Sequence, residues 1–137
     1  MKSIKILLPI SFLTAIILMV SANAMGTTAQ EPIVQPRYDG ATRVSATLSI
    51  TSSGRADVYG QVVLKPSYTA DLTVTLRRDS GSEVKSWSSS GSGSLKIDKG
   101  YYVTSGHDYY TSVSVSVYDS DGTLVDSITK DSSIVSY

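Results

Sequence analysis

The sequence predicts an all-β protein, a single antiparallel β-sandwich of about seven strands behind an N-terminal export signal. Three observations carry this. From Thr42 onward apolar residues recur at every second position, the period of a strand with one buried face. Turn clusters of Gly, Ser, Asp and Pro interrupt that period about every 8–12 residues, the rhythm of a sandwich. No stretch after Gly40 shows a helical period.

The chain opens with Lys2 and Lys5, an apolar run from Ile6 to Val20, and Ala22-Asn23-Ala24. A positive start, an apolar middle and small residues at the end make a secretory signal peptide. Pro9, Ser11 and Thr14 interrupt the run, and it falls short of the roughly 20 apolar residues a membrane helix needs. Residues 1–24 are therefore read as a signal peptide cleaved after Ala24, with Thr27-Thr28-Ala29 offering cleavage after Ala29. Residues 25–41 hold Pro32 and Pro36 and sustain no period, so they read as a flexible arm. Residues 42–137 read as the sandwich. The expectation is a secreted, extracellular protein with no membrane span in its mature form.

The strands follow in order. Val44, Ala46, Leu48 and Ile50 alternate with polar residues, and Thr51-Ser52-Ser53-Gly54 turns the chain. Ala56, Val58, Gly60, Val62 and Leu64 make a second strand, in which Gly60 marks either a bulge or a close backbone approach. Ala70, Leu72, Val74 and Leu76 make a third, with Asp71, Thr73, Thr75 and Arg77 on its other face. A shorter strand holds Val84 and Trp87, Gly91 to Gly93 loosens the chain, and Ser94 to Asp98 is a short strand with Leu95 and Ile97. Tyr101-Tyr102 reads as loop. The run from Tyr109 to Tyr118 alternates most cleanly: Val113, Val115 and Val117 on one face, Ser112, Ser114 and Ser116 on the other. Asp121-Gly122 is a hairpin signal, Leu124 to Thr129 returns, and Ile134-Val135 adds a short piece. Arg77, Arg78 and isolated Lys residues are expected to guard strand edges.

Composition narrows the function classes. Twelve basic residues balance twelve acidic ones, with no block of either sign, so the electrostatic footprint of nucleic-acid binding is missing. So is a polybasic membrane patch. The chain has no cysteine, which excludes a disulfide framework, a cysteine-based metal site and a lipid-modified cysteine. Its length suits one domain with one core.

The segment before the longest strand refines the fold. In Val103-Thr104-Ser105-Gly106-His107-Asp108-Tyr109, an apolar residue and a Gly precede a Tyr that opens an alternating strand. This resembles the tyrosine corner of immunoglobulin-like and fibronectin type III-like sandwiches, in which the phenol bonds backbone a few residues upstream. The resemblance implies a structural role for Tyr109. The Arg37-Tyr38 lead-in, Ser45-Ala46-Thr47-Leu48-Ser49-Ile50 with Ser53-Gly54, and Val84-Lys85-Ser86-Trp87 followed by Gly91-Ser92-Gly93-Ser94-Leu95 are similar to a group of small secreted Gram-positive bacterial proteins of unknown function. The similarity covers most of residues 37–115. It implies a secreted sandwich and no catalytic residues.

No catalytic constellation emerges from the residues. His107 is the only histidine and stands beside Asp108, yet Ser is too abundant to single out a nucleophile and no Gly-x-Ser-x-Gly elbow occurs. Gly91-Ser92-Gly93 lacks the helix and the Lys of a phosphate-binding loop. No cofactor and no metal is expected. The aromatic residues point elsewhere: nine Tyr and one Trp stand against a single Phe, and that Phe lies in the leader. With Val113 inward, Tyr110 and Tyr118 face outward at the two ends of a hydroxyl-rich strand. Beside the strand that carries Thr73, Thr75 and Arg77, they make a candidate binding face. The expected function is a non-enzymatic binding or surface-interaction module for an extracellular protein or glycan. The alternative is a structural or assembly subunit of an extracellular polymer, adding strands at a sheet edge. A secreted enzyme comes third.

Asp119-Ser120-Asp121-Gly122 opens like a calcium loop, but position 130, where the twelfth-residue Glu would fall, is Lys. A hairpin turn is the expected role. The melting temperature should be the same in millimolar calcium and in EDTA; a calcium-dependent rise would assign a metal site instead.

Overall fold

The computed structural model describes residues 37–137, and every regular element among them is a β-strand. The predicted signal peptide, both cleavage positions and the arm up to Pro36 lie outside the described residues. The strands are β1 (Ala41–Ile50), β2 (Arg55–Leu64), β3 (Thr69–Arg78), β4 (Glu83–Ser92), β5 (Ser94–Tyr102), β6 (Asp108–Tyr118), β7 (Leu124–Asp131) and β8 (Val135–Ser136). They form two antiparallel sheets, one ordered β1-β2-β5 and the other β4-β3-β6-β7, with β8 paired to the start of β6. The protein is an all-β sandwich.

The core is where the period of two places it. Ala56, Val58, Val62 and Leu64 of β2 are buried. They face Ala70, Leu72, Val74 and Leu76 of β3, and Tyr109, Val113, Val115 and Val117 of β6. Each fully buried Val or Leu contributes about 1.5–3 kcal/mol of hydrophobic stabilisation before the entropy of ordering is charged against it. Val is frequent here because a branched side chain fits a pleated surface.

Gly60 lies at the centre of this packing. Both of its ladders run through it without a register shift, so it is a close approach and not a bulge. A Cβ at position 60 would stand 2.4 Å from Val74 Cγ2 and 2.8 Å from Val113 Cγ2. Those two valines are cross-strand partners on the facing sheet. They occupy the space that a side chain on β2 would need.

The two open seams of the sandwich close by different chemistry. On one side β7 turns Asp126, Ile128 and Lys130 inward, opposite Val117, Val115 and Val113. Ile128 is buried. The Lys130 ammonium donates to the Val44 carbonyl on β1 at 3.1 Å. The Asp126 carboxylate accepts the amides of Asp39 at 3.1 Å and Gly40 at 2.8 Å. Lys65 donates to the carbonyls of Tyr38 and Asp39. Tyr38 to Ala41, read from the sequence as the end of a flexible arm, are therefore tied to the sandwich, and β1 begins at Ala41.

On the other side, β4 and β5 are longer than their sequence suggests. The strand around Val84 and Trp87 continues through Gly91 to Ser92, and β5 carries Tyr101 and Tyr102 as strand residues. Only Gly93, at φ 75°, breaks the path and passes the chain from one sheet to the other. Edge strands bury little, so their serines and glycines show no apolar alternation. Trp87 meets Tyr101 edge to face, with centroids 6.3 Å apart. Lys85 pairs with Leu76 and Lys99 with Val58, so both lysines point toward the gap between the sheets, where they remain exposed. Inward charges of this kind discourage edge-to-edge pairing. Arg77 and Arg78 do not share that duty: β3 is flanked by β4 and β6, so they sit on an interior strand.

Gly60→Ala should lower unfolding free energy by about 1–3 kcal/mol, the cost of overpacking a filled core. Ser114→Ala, on the exposed outer face, should stay within about 0.5 kcal/mol of the parent. Urea denaturation measures both, and an unaltered midpoint for the Gly60 variant would refute the close approach.

Candidate functional site

Strand pairing assembles one continuous outer face across β4, β3, β6 and β7 of the larger sheet. β3 pairs with β6 so that Thr69, Asp71, Thr73, Thr75 and Arg77 stand opposite Tyr118, Ser116, Ser114, Ser112 and Tyr110. The two tyrosines lie at the two ends, each half-buried. The buried valines of β6 alternate with these residues, so the same period that builds the core aims the face outward.

The face is wider than the two strands that predicted it. On one side β4 places Ser86, Ser88 and Ser90 opposite Thr75, Thr73 and Asp71. On the other, β7 places Ser127, Thr129 and Asp131 opposite Ser116, Ser114 and Ser112. The period-two serines of β4 carried the signal, but with so little apolar alternation the pattern predicts only a shorter strand at Val84 and Trp87 and a loosened chain from Gly91 to Gly93. Several hydroxyls bond one another: Thr73 with Ser88 at 3.3 Å, Thr75 with Ser86 at 3.2 Å, and Ser90 with the Asp71 carboxylate at 2.7 Å. Thr75 is buried at 5% exposure, so it is part of the floor of the face and not a contact a ligand meets. Thr73, Arg77, Tyr110 and Tyr118 remain partly accessible. The Arg77 guanidinium donates to the Gly81 carbonyl at 3.0 Å, holding the turn after β3.

A small cleft opens at the Tyr110 end. It has a volume of about 280 Å³ and is lined by Asp79, Tyr110, Asp131, Ser132 and Ile134. Sequence reading had no route to it, because its walls come from two connections far apart in the chain. A second cleft of about 390 Å³ lies at the β4–β5 seam, lined by Ser88, Ser89, Lys96, Ile97, Asp98 and Lys99.

The remaining candidates occupy structural settings. Tyr109 is 1% exposed, and its hydroxyl donates to the Thr104 carbonyl at 2.7 Å, five residues upstream. His107 meets the Tyr109 ring edge to face at 6.2 Å, and its carbonyl accepts the Tyr137 amide at 3.0 Å. The Asp119 carboxylate accepts the amides of Asp121 and Thr123, both at 2.9 Å, so its oxygen serves the hairpin's own backbone. Among the described residues no group of three or more His, Asp or Glu side chains is placed to hold a metal ion, and no helix is long and apolar enough to cross a membrane.

No protein-family model matches the chain, and neither does any curated protein. Among solved structures, the chain is similar to one described as "putative beta-galactosidase from bacteroides fragilis", at 18% identity and a TM-score of 0.41. The match covers 64% of this chain and 15% of that one, so this chain spans a small part of that protein's length.

Tyr109→Phe keeps the ring and deletes the bond to Thr104. Stability should fall by about 1 kcal/mol with the sandwich intact. A melting temperature identical to the parent's would remove that bond from the account of how the corner holds.

Proposed function

We propose that the protein is an exported, non-enzymatic binding module that engages an extracellular protein or glycan through the outer face of the β4-β3-β6-β7 sheet. The observation that carries this reading is the placement of Tyr110 and Tyr118, half-buried, at opposite ends of a ladder of small hydroxyl side chains. A half-buried tyrosine brings a rigid ring with a polar tip and loses little conformational entropy on binding. The short Ser and Thr side chains between the rings let a partner approach the sheet closely. Export is the meaning of Lys2, Lys5, the Ile6–Val20 run and Ala22-Asn23-Ala24.

The module belongs, on this reading, with immunoglobulin-like sandwiches of the fibronectin type III-like kind. Two features support that kinship. The first, second and fifth strands form one sheet against the fourth, third, sixth and seventh. The penultimate long strand opens on a buried Tyr whose hydroxyl bonds upstream backbone. Binding is favoured over polymer assembly by the edges: Lys85 and Lys99 point into one seam, and Lys130 and Asp126 already hold the edge backbone at the other.

Protein starting at Met25, screened on glycan and protein arrays, should find a partner. Tyr110→Ala/Tyr118→Ala should weaken it by about tenfold or more, the usual scale of an aromatic anchor, while the melting temperature holds. Array silence, or a partner indifferent to both tyrosines, would refute the face.

A further inference from the structure

We propose that the cleft at the Tyr110 end of the face is a subsite for a basic side chain, lysyl or arginyl, of a polypeptide partner. The proposal rests on the binding reading above and states what one end of that face takes.

Charge is the first argument. Asp79 and Asp131 both line the cleft, and no basic residue does. Among the described residues the ion pair within salt-bridge distance is Arg55–Asp57, so neither cleft carboxylate is paired. Arg77, opposite Tyr110, is turned to the Gly81 carbonyl, and neither it nor Arg78 lines the cleft or comes within salt-bridge distance of its carboxylates. Two carboxylates beside one opening leave a local negative field for a cation to neutralise.

Shape and surface chemistry select the kind of cation. Tyr110 contributes an aromatic ring, whose face attracts an ammonium or guanidinium group. Ile134, 56% exposed, contributes an apolar wall. A Lys or Arg side chain matches both, because its charged head sits on a hydrocarbon stem. An amino sugar carries hydroxyls where Ile134 offers only carbon. A bare divalent ion wants about six to eight oxygen ligands and would meet two carboxylates, one serine, one tyrosine and an isoleucine. The basic side chain of a polypeptide is the occupant that uses every wall.

The walls are also fixed in advance. The Asp79 amide donates to the Asp108 carbonyl at 2.9 Å, which holds the turn after β3 against β6. The Ser132 amide donates to the Thr111 carbonyl, and the Thr111 amide donates to Ser132 Oγ, each at 2.8 Å. Asp131 pairs with Ser112 at the end of β7. A site held this way spends little ordering entropy on its ligand.

NMR titration of the ¹⁵N-labelled protein with Nα-acetyl-lysine amide and Nα-acetyl-arginine amide tests the subsite. At least one should shift the amides of Asp79, Tyr110, Asp131 and Ser132 with millimolar affinity, more weakly as salt is added. Nα-acetyl-norleucine amide, which has a stem without the charge, should not. Asp79→Asn/Asp131→Asn and Tyr110→Ala should each weaken binding by about tenfold, and Tyr110→Phe should retain it. Equal shifts from the norleucine probe, no shifts at all, or full binding by the Asn variant would overturn the subsite. Tyr118 lies at the other end of the face. An array partner lost on Tyr118→Ala but untouched by the Asn variant keeps the face and removes the subsite. Lysyl or arginyl binding with an array partner indifferent to both tyrosines keeps the subsite and removes the face.

Discussion

Val74 and Val113 meet the backbone of Gly60 where a side chain would otherwise stand, and this contact sets how near the two sheets lie. The rest of the sandwich is organised around it. Val58 and Val62 flank Gly60 on the same strand and are fully buried, as are Leu72 and Val115 within 1%. Because β3 and β6 are pressed inward through alternate residues, the intervening residues have no choice but to face outward. Core and face are thus two readings of one alternation. A slip of one residue in the β3–β6 register would turn Ser112 and Ser114 inward and the valines into solvent.

The seams show how a sandwich without disulfides closes its sides. At β1 and β7 the closure is polar: a carboxylate and two ammonium groups satisfy backbone amides and carbonyls that an edge strand would leave open. At β4 and β5 it is aromatic, with Trp87 against Tyr101 and a lysine on either strand. Bonds from a charged group to backbone are individually modest at exposed sites. Their value here lies in position: Asp126 and Lys130 bind β1 and its lead-in to the opposite sheet, and Lys65 fixes the same lead-in to the end of β2.

Legibility in the sequence tracked burial. β2, β3 and β6 each bury one complete face, and their alternating Val, Leu and Ala residues announced both strand and orientation. The outward placement of Tyr110 and Tyr118, and the neighbouring strand with Thr73 and Arg77, followed from the same period. β4 was legible only in part, because an edge strand needs no apolar face and its Ser86, Ser88, Ser90 pattern resembles a flexible run. The fixing of Asp39 and Gly40 by Asp126 was invisible, since nothing local to either segment encodes a contact across so much chain. The cleft at Tyr110 was hidden for the same reason: Asp79 and Ile134 become neighbours only through sheet pairing.

That long reach has a temporal meaning. Asp39 and Asp126 are 87 positions apart, and the carboxylate of one holds the amide of the other. β3 likewise waits for β6, which supplies its second partner. As the polypeptide emerges N-terminus first, the opening strand can pair with β2 long before Asp126 and Lys130 reach it from β7. Closing such large loops is paid in entropy before any contact returns it, so pairing of this kind is slow compared with helix formation. The sandwich is completed from its C-terminal end, and a nascent chain halted before β7 can pair β1 with β2 but lacks Asp126 and Lys130, which tie that strand to the opposite sheet.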